Sequence, residues 1–224
     1  MFTQIYSLQE VDEALACARA GADRIGVLVG QIDGPYPCAV SEEKAKEIFD
    51  AIGGKAIRVL ISVEKDPLKI IEQCERLKPE VLHLCAEYEG NKEFADELKK
   101  HLPNIKLMEA VGVGDDYSAI EDAKKKASYA DILILDSVSK TIPGVGAAGI
   151  VHDWAIDAEI RKVVDCEIIE AGGLGVDNVL EAIEAVKPDG VDSLTKTSIK
   201  ENGKLIRKDI ELVKKFCELV HSVK

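Results

Sequence analysis

The feature that most constrains the fold of this chain is an alternation, repeated eight times, of a short apolar run with a longer amphipathic segment. The apolar runs are almost continuous, which is typical of strands covered on both faces in a parallel sheet. The segments between them show helical spacing and helix-starting residues such as Ser41 and Pro67. The predicted strand and helix pairs cover residues 2–6 and 9–20, 24–29 and 41–52, 56–63 and 67–77, 80–85 and 92–101, 105–111 and 117–127, 131–136 and 153–163, 166–171 and 176–186, and 190–195 and 208–220.

Eight such units predict an α/β protein whose eight parallel strands close into a (β/α)8 TIM barrel. No Pro- or Ser-rich linker divides the chain, so we expect a single barrel domain over residues 1–224. An open, doubly wound sheet is the alternative fold. Its glycine fingerprint would follow the first strand, where Tyr6-Ser7-Leu8-Gln9 contains no glycine, and the barrel is therefore favoured.

Charge and cysteine usage narrow the range of partners. The chain has 29 basic and 41 acidic residues, and its net charge of -12 would be repelled by nucleic acid and anionic membranes. No apolar stretch approaches the roughly 18 residues of a membrane span, and the first residues carry no basic signal. The six cysteines are scattered without C-x-x-C spacing. We expect a cytoplasmic protein with reduced thiols and neither a nucleic-acid nor a membrane partner.

A glycine-containing turn at the end of the seventh predicted strand indicates a phosphate site. Gly172 and Gly173 let the backbone approach a ligand closely before a helix that is predicted to begin near Val176. In a barrel, phosphate often binds to the loops after strands seven and eight. The predicted phosphate-binding residues are Gly172, Gly173, Thr195, Lys196 and Thr197. The alternative is that the glycines only serve a short connection.

Six short motifs, in a fixed order along the chain, carry a family resemblance. They are Ala20-Gly21-Ala22-Asp23, Ala110-Val111-Gly112-Val113, Ile134-Leu135-Asp136, Gly144-Val145-Gly146 ahead of Asp153-Trp154, Gly172-Gly173-Leu174 with Asn178-Val179, and Val191-Asp192. In these the chain resembles the phosphoribosylanthranilate isomerases of tryptophan biosynthesis. The resemblance implies a monomeric or homodimeric barrel that converts a phosphorylated aminoaldose to its ketose by acid-base catalysis, without metal or cofactor.

Several positions depart from the family pattern. The resemblance implies Asp136 as the general acid, but its general base is a cysteine where this chain has Tyr6. A phenol titrates near pH 10, so Tyr6 is predicted to take part in catalysis as a hydrogen-bond donor rather than as a base, with packing as the alternative. Cys38 stands near the place of an arginine that the family uses on the anthranilate carboxylate. Strand four has His83-Leu84-Cys85 in place of Gln-x-His, and residues 193–197 replace a Ser-Ser-Gly.

The alternation of side chains along the strands adds candidates for the site. If Asp136 and Gly172 face the barrel mouth, then a period of two and the family register turn further polar side chains to the lumen. These are Glu170, Glu109, His83, Cys85, Arg58, Ser62 and Asp192. Glu170 and Glu109 are predicted as the replacement base, because burial beside Asp136 raises a carboxyl pKa. Arg58, His83, Cys85 and Asp192 are predicted to bind substrate. The alternative is a structural network in which the carboxylates pair with Arg58 or Arg24.

No metal or cofactor is predicted, because His83 with Cys85 and His152 with Asp153 do not define a metal site. The predicted function is an isomerase acting on a phosphorylated sugar compound, whose native substrate need not be phosphoribosylanthranilate. One alternative is an aldolase or epimerase on another phosphorylated carbonyl compound, using Glu170, Glu109 or a Schiff base at Lys196 or Lys140. Another is a barrel without catalysis that binds a phosphate ligand or serves in assembly.

Overall fold

The computed structural model describes residues 1–114, 116–138, 145, 153–202 and 204–223. Eight parallel strands close into a barrel in chain order, and β1 completes the ring by pairing with β8. The strands are β1 (Phe2–Ile5), β2 (Arg24–Val29), β3 (Ile57–Ser62), β4 (Val81–Leu84), β5 (Lys106–Val113), β6 (Ile132–Ser137), β7 (Glu167–Glu170) and β8 (Gly190–Ser193). The predicted (β/α)8 barrel is confirmed.

A helix follows each strand, as the amphipathic segments predict. The helices are α1 (Val11–Arg19), α2 (Glu42–Ile52), α3 (Pro67–Leu77), α4 (Lys92–His101), α5 (Ser118–Ala127), α6 (Trp154–Val163), α7 (Val179–Val186) and α8 (Ile210–Ser222). The prediction that α7 begins near Val176 is wrong. Residues 176–178 form a turn in which the backbone N–H of Gly175 donates to Oδ1 of Asn178 over 2.8 Å, so the helix begins at Val179.

An addition to the barrel lies between β8 and α8. The chain forms a short 3-10 helix (Thr195–Thr197) and then an antiparallel ribbon of β9 (Ser198–Glu201) and β10 (Lys204–Lys208). Lys208, predicted as the start of the last helix, instead ends β10. Its buried Nζ donates to the carbonyl of Leu194 over 3.0 Å and to Oγ of Ser198 over 2.9 Å, which ties the ribbon to the end of β8.

Each strand divides its side chains between two hydrophobic layers. On β6, Ile132 and Ile134 pack in the lumen, whereas Leu133 and Leu135 pack against helices. The same alternation on the other strands decides which polar side chains reach the mouth. Among the residues that the structure describes, no helix combines the length and the apolarity needed to cross a membrane.

The amino-terminal end of the barrel carries one bonding pattern four times. An acidic residue stands immediately before each even-numbered strand, and its carboxylate accepts the backbone N–H of the second residue of the preceding strand. The four pairs are Asp23 with Thr3 at 2.8 Å, Glu80 with Arg58 at 2.8 Å, Asp131 with Leu107 at 2.9 Å and Asp189 with Ile168 at 2.8 Å. We call these four acidic residues the ring carboxylates.

The main chain of each ring carboxylate reaches the next odd-numbered strand around the barrel. The carbonyls of Asp23, Glu80, Asp131 and Asp189 accept the backbone N–H of Ile57, Lys106, Glu167 and Phe2, respectively. Each carboxylate also contacts a basic side chain: His221, Arg58, Lys99 and Arg161 in the same order. One residue therefore joins two strands in each quarter of the ring, including the quarter that closes β8 onto β1.

Candidate active site

A pocket opens at the carboxyl-terminal end of the barrel. Five of the predicted site residues meet there: Tyr6, His83, Cys85, Asp136 and Asp192. The remaining wall is mostly apolar and consists of Leu28, Ile61, Ile134, Val145, Leu194, Tyr36 and Pro37, with Ser7 beside them. A few convergent polar groups in an apolar pocket, at the catalytic end of a barrel, are typical of an active site.

Two carboxyl groups of this pocket influence each other. Asp136 is the last residue but one of β6 and accepts the backbone N–H of Ser137 over 2.7 Å. Asp192 lies in β8, is almost fully buried and accepts a hydrogen bond from Nε2 of Gln4 over 3.2 Å. Burial, and then the charge of Asp136, raise the pKa of Asp192 to about 8. The pair can therefore hold one proton at neutral pH, with one carboxyl as an acid and the other as a base.

Tyr6 forms the floor of the pocket. Its ring lies over Gly26, where an added Cβ atom would lie 2.0 Å from the ring. Its hydroxyl Oη is 3.0 Å from Nδ1 of His83 and 3.7 Å from Sδ of Met108. Burial, and then the charge of Asp192, raise the pKa of Tyr6 well above its usual value. Tyr6 is therefore a neutral phenol in this site, which fits a hydrogen-bonding role and excludes it as a base at neutral pH.

The other two polar groups of the pocket are also uncharged. Burial lowers the pKa of His83 to about 3, so its imidazole is neutral. Burial, and then the charge of Asp136, raise the pKa of Cys85 to about 12, so its side chain is a thiol rather than a thiolate. Neither group has the basicity and the charge state that proton removal from carbon requires near pH 7.

The prediction that Glu170 turns to the lumen is wrong. On β7, Ile169 packs in the lumen and Ile168 packs on the helix side, and Glu170 shares the side of Ile168. Burial, and then the charge of Asp157 in α6, raise the pKa of Glu170 well above its usual value. The prediction counted a period of two back from Gly172, but the strand ends at Glu170 and the alternation does not continue through a turn.

Glu109, Ser62 and Arg58 are likewise outside the lumen. Glu109 accepts the backbone N–H of Gly90 over 2.8 Å on the helix side of β5, where Met108 and Ala110 take the lumen positions. Burial raises the pKa of Glu109 to about 7. The Ser62 hydroxyl donates to Oε1 of Gln73 in α3 over 2.8 Å.

Arg58 lies at the amino-terminal end, where its Nη2 is 2.6 Å from Oε1 of Glu80. Arg24 does face inward, but its partner is Glu167 at 2.6 Å. The prediction that Arg58, Ser62 and Glu109 face the lumen rests on the family register. That register does not apply to β3 and β5, where the polar side chains lie at outward positions.

The predicted phosphate residues lie in two loops that contact each other. Gly172 and Gly173 have φ values of 82° and 63°, a conformation that favours glycine. Nζ of Lys196 is 2.8 Å from Oδ2 of Asp177, and an added Cβ at Gly175 would lie 2.7 Å from the Lys196 side chain. The turn after β7 and the 3-10 helix after β8 thus form one surface, at the place where barrels often bind phosphate.

The two threonines of this surface differ. Thr197 is fully buried, and its hydroxyl lies 3.4 Å from the carbonyl of Ser193 and 3.3 Å from that of Leu194. Thr197 therefore does not fit the predicted role, because its hydroxyl is turned into the main chain. Thr195 is partly exposed at the rim, close to the loop after β2.

Comparison with known proteins decides which barrel this is. The family model described as N-(5'phosphoribosyl)anthranilate (PRA) isomerase matches residues 5–219. This chain belongs to the phosphoribosylanthranilate isomerase family. The isomerase of Methanocella arvoryzae is 31% identical over 215 residues, which are 95% of this chain and 94% of that protein. The isomerase of Aquifex aeolicus is 30% identical over 221 residues, 98% of each chain.

Solved structures of the family share the fold. The phosphoribosylanthranilate isomerase of Thermococcus kodakaraensis has a TM-score of 0.76 and 25% identity, with 99% of each chain covered. The enzyme of Pyrococcus furiosus has a TM-score of 0.78 and 24% identity, with 100% of each chain covered. The family resemblance that the sequence motifs indicated is therefore confirmed.

Sequence reasoning missed Gln4, which bonds a pocket residue, and Tyr36, which lines the pocket. Gln4 is fully buried and binds Asp192, and counting a period of two back from Tyr6 would have found it. Tyr36 lines the mouth from the loop after β2, where no periodic signal exists. Lys140, His152 and the glycines of Gly144-Val145-Gly146 lie outside the described residues. Among the residues described, no three His, Cys, Asp or Glu side chains are grouped as metal ligands.

Proposed function

We propose that this chain isomerises a phosphorylated aminoaldose to the corresponding aminoketose by acid-base catalysis. The observation that carries the proposal is that Asp136 and Asp192 line one pocket at the catalytic end of the barrel. Membership of the isomerase family supports it. An aldose-to-ketose isomerisation needs one group that donates a proton to the ring oxygen and another that removes the proton from carbon two, and the pair supplies both.

Asp136 is the proposed acid and Asp192 the proposed base. The family resemblance supports the role of Asp136. Asp192 is favoured as the base because its pKa of about 8 is closer to neutrality than those of Cys85 and His83. The two carboxyls are coupled and share one proton, and the charge of Asp136 favours the form in which Asp192 holds it. The reaction is proposed to use the form in equilibrium with it, in which Asp136 holds the proton and Asp192 is ionised.

The phosphate is proposed to bind at the surface formed by the turn after β7 and the 3-10 helix after β8. The backbone N–H groups of Gly172 and Gly173, together with Thr195, would donate to its oxygens. Lys196 would release Asp177 and pair with the phosphate instead. The side chains of Lys196 and Asp177 are both partly exposed, so this change of partner is possible. This anchoring would hold the sugar over the two carboxyls.

Two features bear on the alternatives. Lys196 pairs with Asp177 at the rim, which speaks against a Schiff-base aldolase at this lysine, and the family assignment favours the isomerase over an aldolase or epimerase. A native substrate other than N-(5'-phosphoribosyl)anthranilate is the second candidate. It is motivated by Tyr6 and Cys38, which replace the cysteine and the arginine that the family resemblance implies.

The test is conversion of N-(5'-phosphoribosyl)anthranilate by the purified protein. We expect turnover, and we expect Asp136→Asn and Asp192→Asn each to lower kcat by about 100-fold or more, the usual effect of losing a general acid or base. Glu109→Gln is the control, because Glu109 is a buried carboxyl on the helix side of β5 that accepts the backbone N–H of Gly90. Turnover that survives both aspartate substitutions would remove the proposed mechanism. An inactive wild-type protein would favour the different substrate or the barrel without catalysis.

We also propose that the chain is a single domain over residues 1–224 that works in the cytoplasm as a monomer or homodimer. The net charge of -12 supports a partner other than nucleic acid or an anionic membrane. One solved relative consists of monomers generated from the dimeric enzyme of Thermotoga maritima, and that chain is 21% identical to this one. Light scattering of the purified protein would decide the oligomeric state.

A further inference from the structure

Tyr6 and His83 meet across the lumen of the barrel. Tyr6 follows β1 and His83 lies in β4, three strands away, yet Oη of Tyr6 is 3.0 Å from Nδ1 of His83. The ring centroids are 5.6 Å apart, with an angle of 31° between the ring planes. The exposed fractions are only 6% for Tyr6 and 4% for His83, so water screens this hydrogen bond very little.

The barrel is shaped around the Tyr6 ring. An added Cβ at Gly26 would lie 2.0 Å from the ring, so only glycine leaves the ring in this place. Sδ of Met108 lies 3.7 Å from the hydroxyl oxygen. A side chain that served only as a packed floor would not need a hydroxyl at this point, since a buried hydroxyl is costly without a partner. The geometry therefore directs the hydroxyl at His83.

The chemistry of the two groups decides where the proton lies. Burial keeps His83 neutral, with its pKa lowered to about 3, and keeps Tyr6 a phenol. A neutral imidazole has one N–H donor and one acceptor nitrogen. That nitrogen accepts better than a phenol oxygen or a thioether sulfur, so the Tyr6 O–H donates to Nδ1. The proton of His83 is then on Nε2.

The Nε2 atom of His83 is buried and has no hydrogen-bond partner among the residues described. His83 also lines the pocket that contains Asp136 and Asp192. A buried N–H without a partner is costly, and such a group is an available donor for a ligand. A neutral imidazole N–H suits a ring oxygen that gains negative charge as its bond to carbon one breaks.

We propose that Tyr6 is a positioning residue that holds His83 as a neutral Nε2–H donor for an oxygen of the bound phosphorylated sugar. The inference rests on the proposed isomerase function. It gives the lumen pair a role that the carboxyls do not fill. His83 stabilises the ring oxygen as its bond to carbon one breaks and Asp136 protonates it. Asp192 then removes the proton from carbon two, and the electron pair moves into the C=N bond formed at carbon one. Tyr6, which stands in place of the family's cysteine, acts through His83.

The first test is the tautomer of His83, measured by long-range nitrogen-proton NMR of the purified full chain. His83→Leu identifies the signals by their loss. We expect the Nε2–H form in the wild type and a mixture of both tautomers in Tyr6→Phe. The Nδ1–H form in the wild type would overturn the inference.

The second test is a double-mutant cycle on isomerase turnover. We expect Tyr6→Phe to lower kcat about tenfold with little change in KM, the size of effect expected for one hydrogen bond. His83→Leu should lower kcat at least as much, the double variant should match His83→Leu alone, and His83→Gln should recover part of the rate by restoring a neutral donor. Tyr129→Phe is the control, since this phenol lies beside Glu109 on the helix side of β5. A wild-type kcat in Tyr6→Phe, or purely additive losses in the double variant, would contradict the proposal that Tyr6 acts through His83.

Failure of the proposed function can be told apart from failure of this inference. If the wild type does not turn over N-(5'-phosphoribosyl)anthranilate, the proposed activity on this substrate fails, and reduced 1-(o-carboxyphenylamino)-1-deoxyribulose 5-phosphate becomes the probe. This compound is the ligand in a solved family structure. A shift of the His83 Nε2 signal by this compound that is reduced in Tyr6→Phe supports the inference, and the absence of a shift overturns it.

Discussion

The two ends of the barrel treat their carboxyl groups in opposite ways. At the amino-terminal end, each ring carboxylate accepts a backbone N–H and contacts a basic side chain. At the mouth, the almost fully buried Asp192 accepts a hydrogen bond from the neutral amide of Gln4, and the charge of Asp136 raises its pKa further. Carboxylates that accept backbone N–H groups favour folding, whereas two neighbouring carboxyls in an apolar pocket oppose it and keep a proton available.

The contrast separates an end of the barrel that serves stability from an end that serves chemistry. A ring carboxylate holds its charge with hydrogen bonds, so its removal should affect folding and leave the pocket unchanged. Removal of a mouth carboxyl should have the reverse effect. It should lower activity without lowering stability, because a carboxyl kept for chemistry in an apolar pocket opposes folding. Substitutions at each end, and at sites that belong to neither, can test this division.

The greatest change should come from Asp192→Asn. We expect kcat to fall about 100-fold or more, because the proposed base is lost. Stability should change in the opposite direction. The folded-state pKa of Asp192 is raised to about 8, so the wild type loses stability as the pH rises from about 4 to 8. The variant lacks this loss, and its thermal midpoint should exceed that of the wild type at pH 8 but not at pH 4.

Equal midpoints for Asp192→Asn and wild type at pH 8 would contradict the view that the mouth opposes folding. The matched substitution at the other end is Asp189→Asn, which should lower the midpoint at both pH values.

Asp131→Ala should rank second. It removes the acceptor for the backbone N–H of Leu107 and the partner of Lys99. We expect the free energy of unfolding to fall by about 2 kcal/mol, since a buried N–H loses its acceptor, and we expect kcat to stay unchanged. Urea unfolding and steady-state kinetics of the same preparation measure both. A large loss of kcat without a loss of stability would break the division between the two ends.

Glu109→Gln tests a buried carboxyl that belongs to neither end. The wild-type pKa of Glu109 is raised to about 7, so its ionisation opposes folding increasingly as the pH rises from about 4 to 7. Glutamine still accepts the N–H of Gly90. We expect a gain in stability of about 1 kcal/mol at pH 8, no gain at pH 4 and an unchanged kcat. A loss of stability at pH 8 would show that the Gly90 contact matters more than the charge.

Lys92→Ala should change the protein least and sets the scale for the others. Lys92 and Asp96 form an exposed pair at 3.0 Å on α4. Exposed pairs of this kind contribute about 0.5 kcal/mol or less, so neither the unfolding free energy nor kcat should change measurably. If Lys92→Ala lowered the free energy of unfolding as much as Asp131→Ala, the backbone contacts of the ring carboxylates would add no stability beyond that of an exposed ion pair.

The fold could be predicted from the sequence because it depends on local signals that repeat. Continuous apolar runs and helical stripes recur eight times, and helix starts such as Ser41 are visible in the sequence. The ribbon of β9 and β10 could not be predicted in the same way. It is short and polar, and its attachment through Lys208 depends on residues that are distant in sequence, including Glu13.

The site could be predicted only in part. Placing Asp136, His83, Cys85 and Asp192 near one another needs only the rule that strand ends meet at the mouth of a barrel. The facing of Glu170, Glu109 and Arg58 depends on where each strand stops and on its register, which alternation does not reveal. The contact of Tyr6 with His83 joins two strands that are not neighbours in the sheet, so no sequence pattern reports it.

The way the ring closes has a consequence for how the chain could be rewired. Asp189 bonds Ile168 through its side chain and Phe2 through its main chain, as its three counterparts do for their own neighbours. The junction between the first and last strands is thus chemically equivalent to the junctions inside the chain. A circular permutant that begins at β3, β5 or β7 would inherit all of these bonds, and we expect it to reach the same barrel from a different starting point.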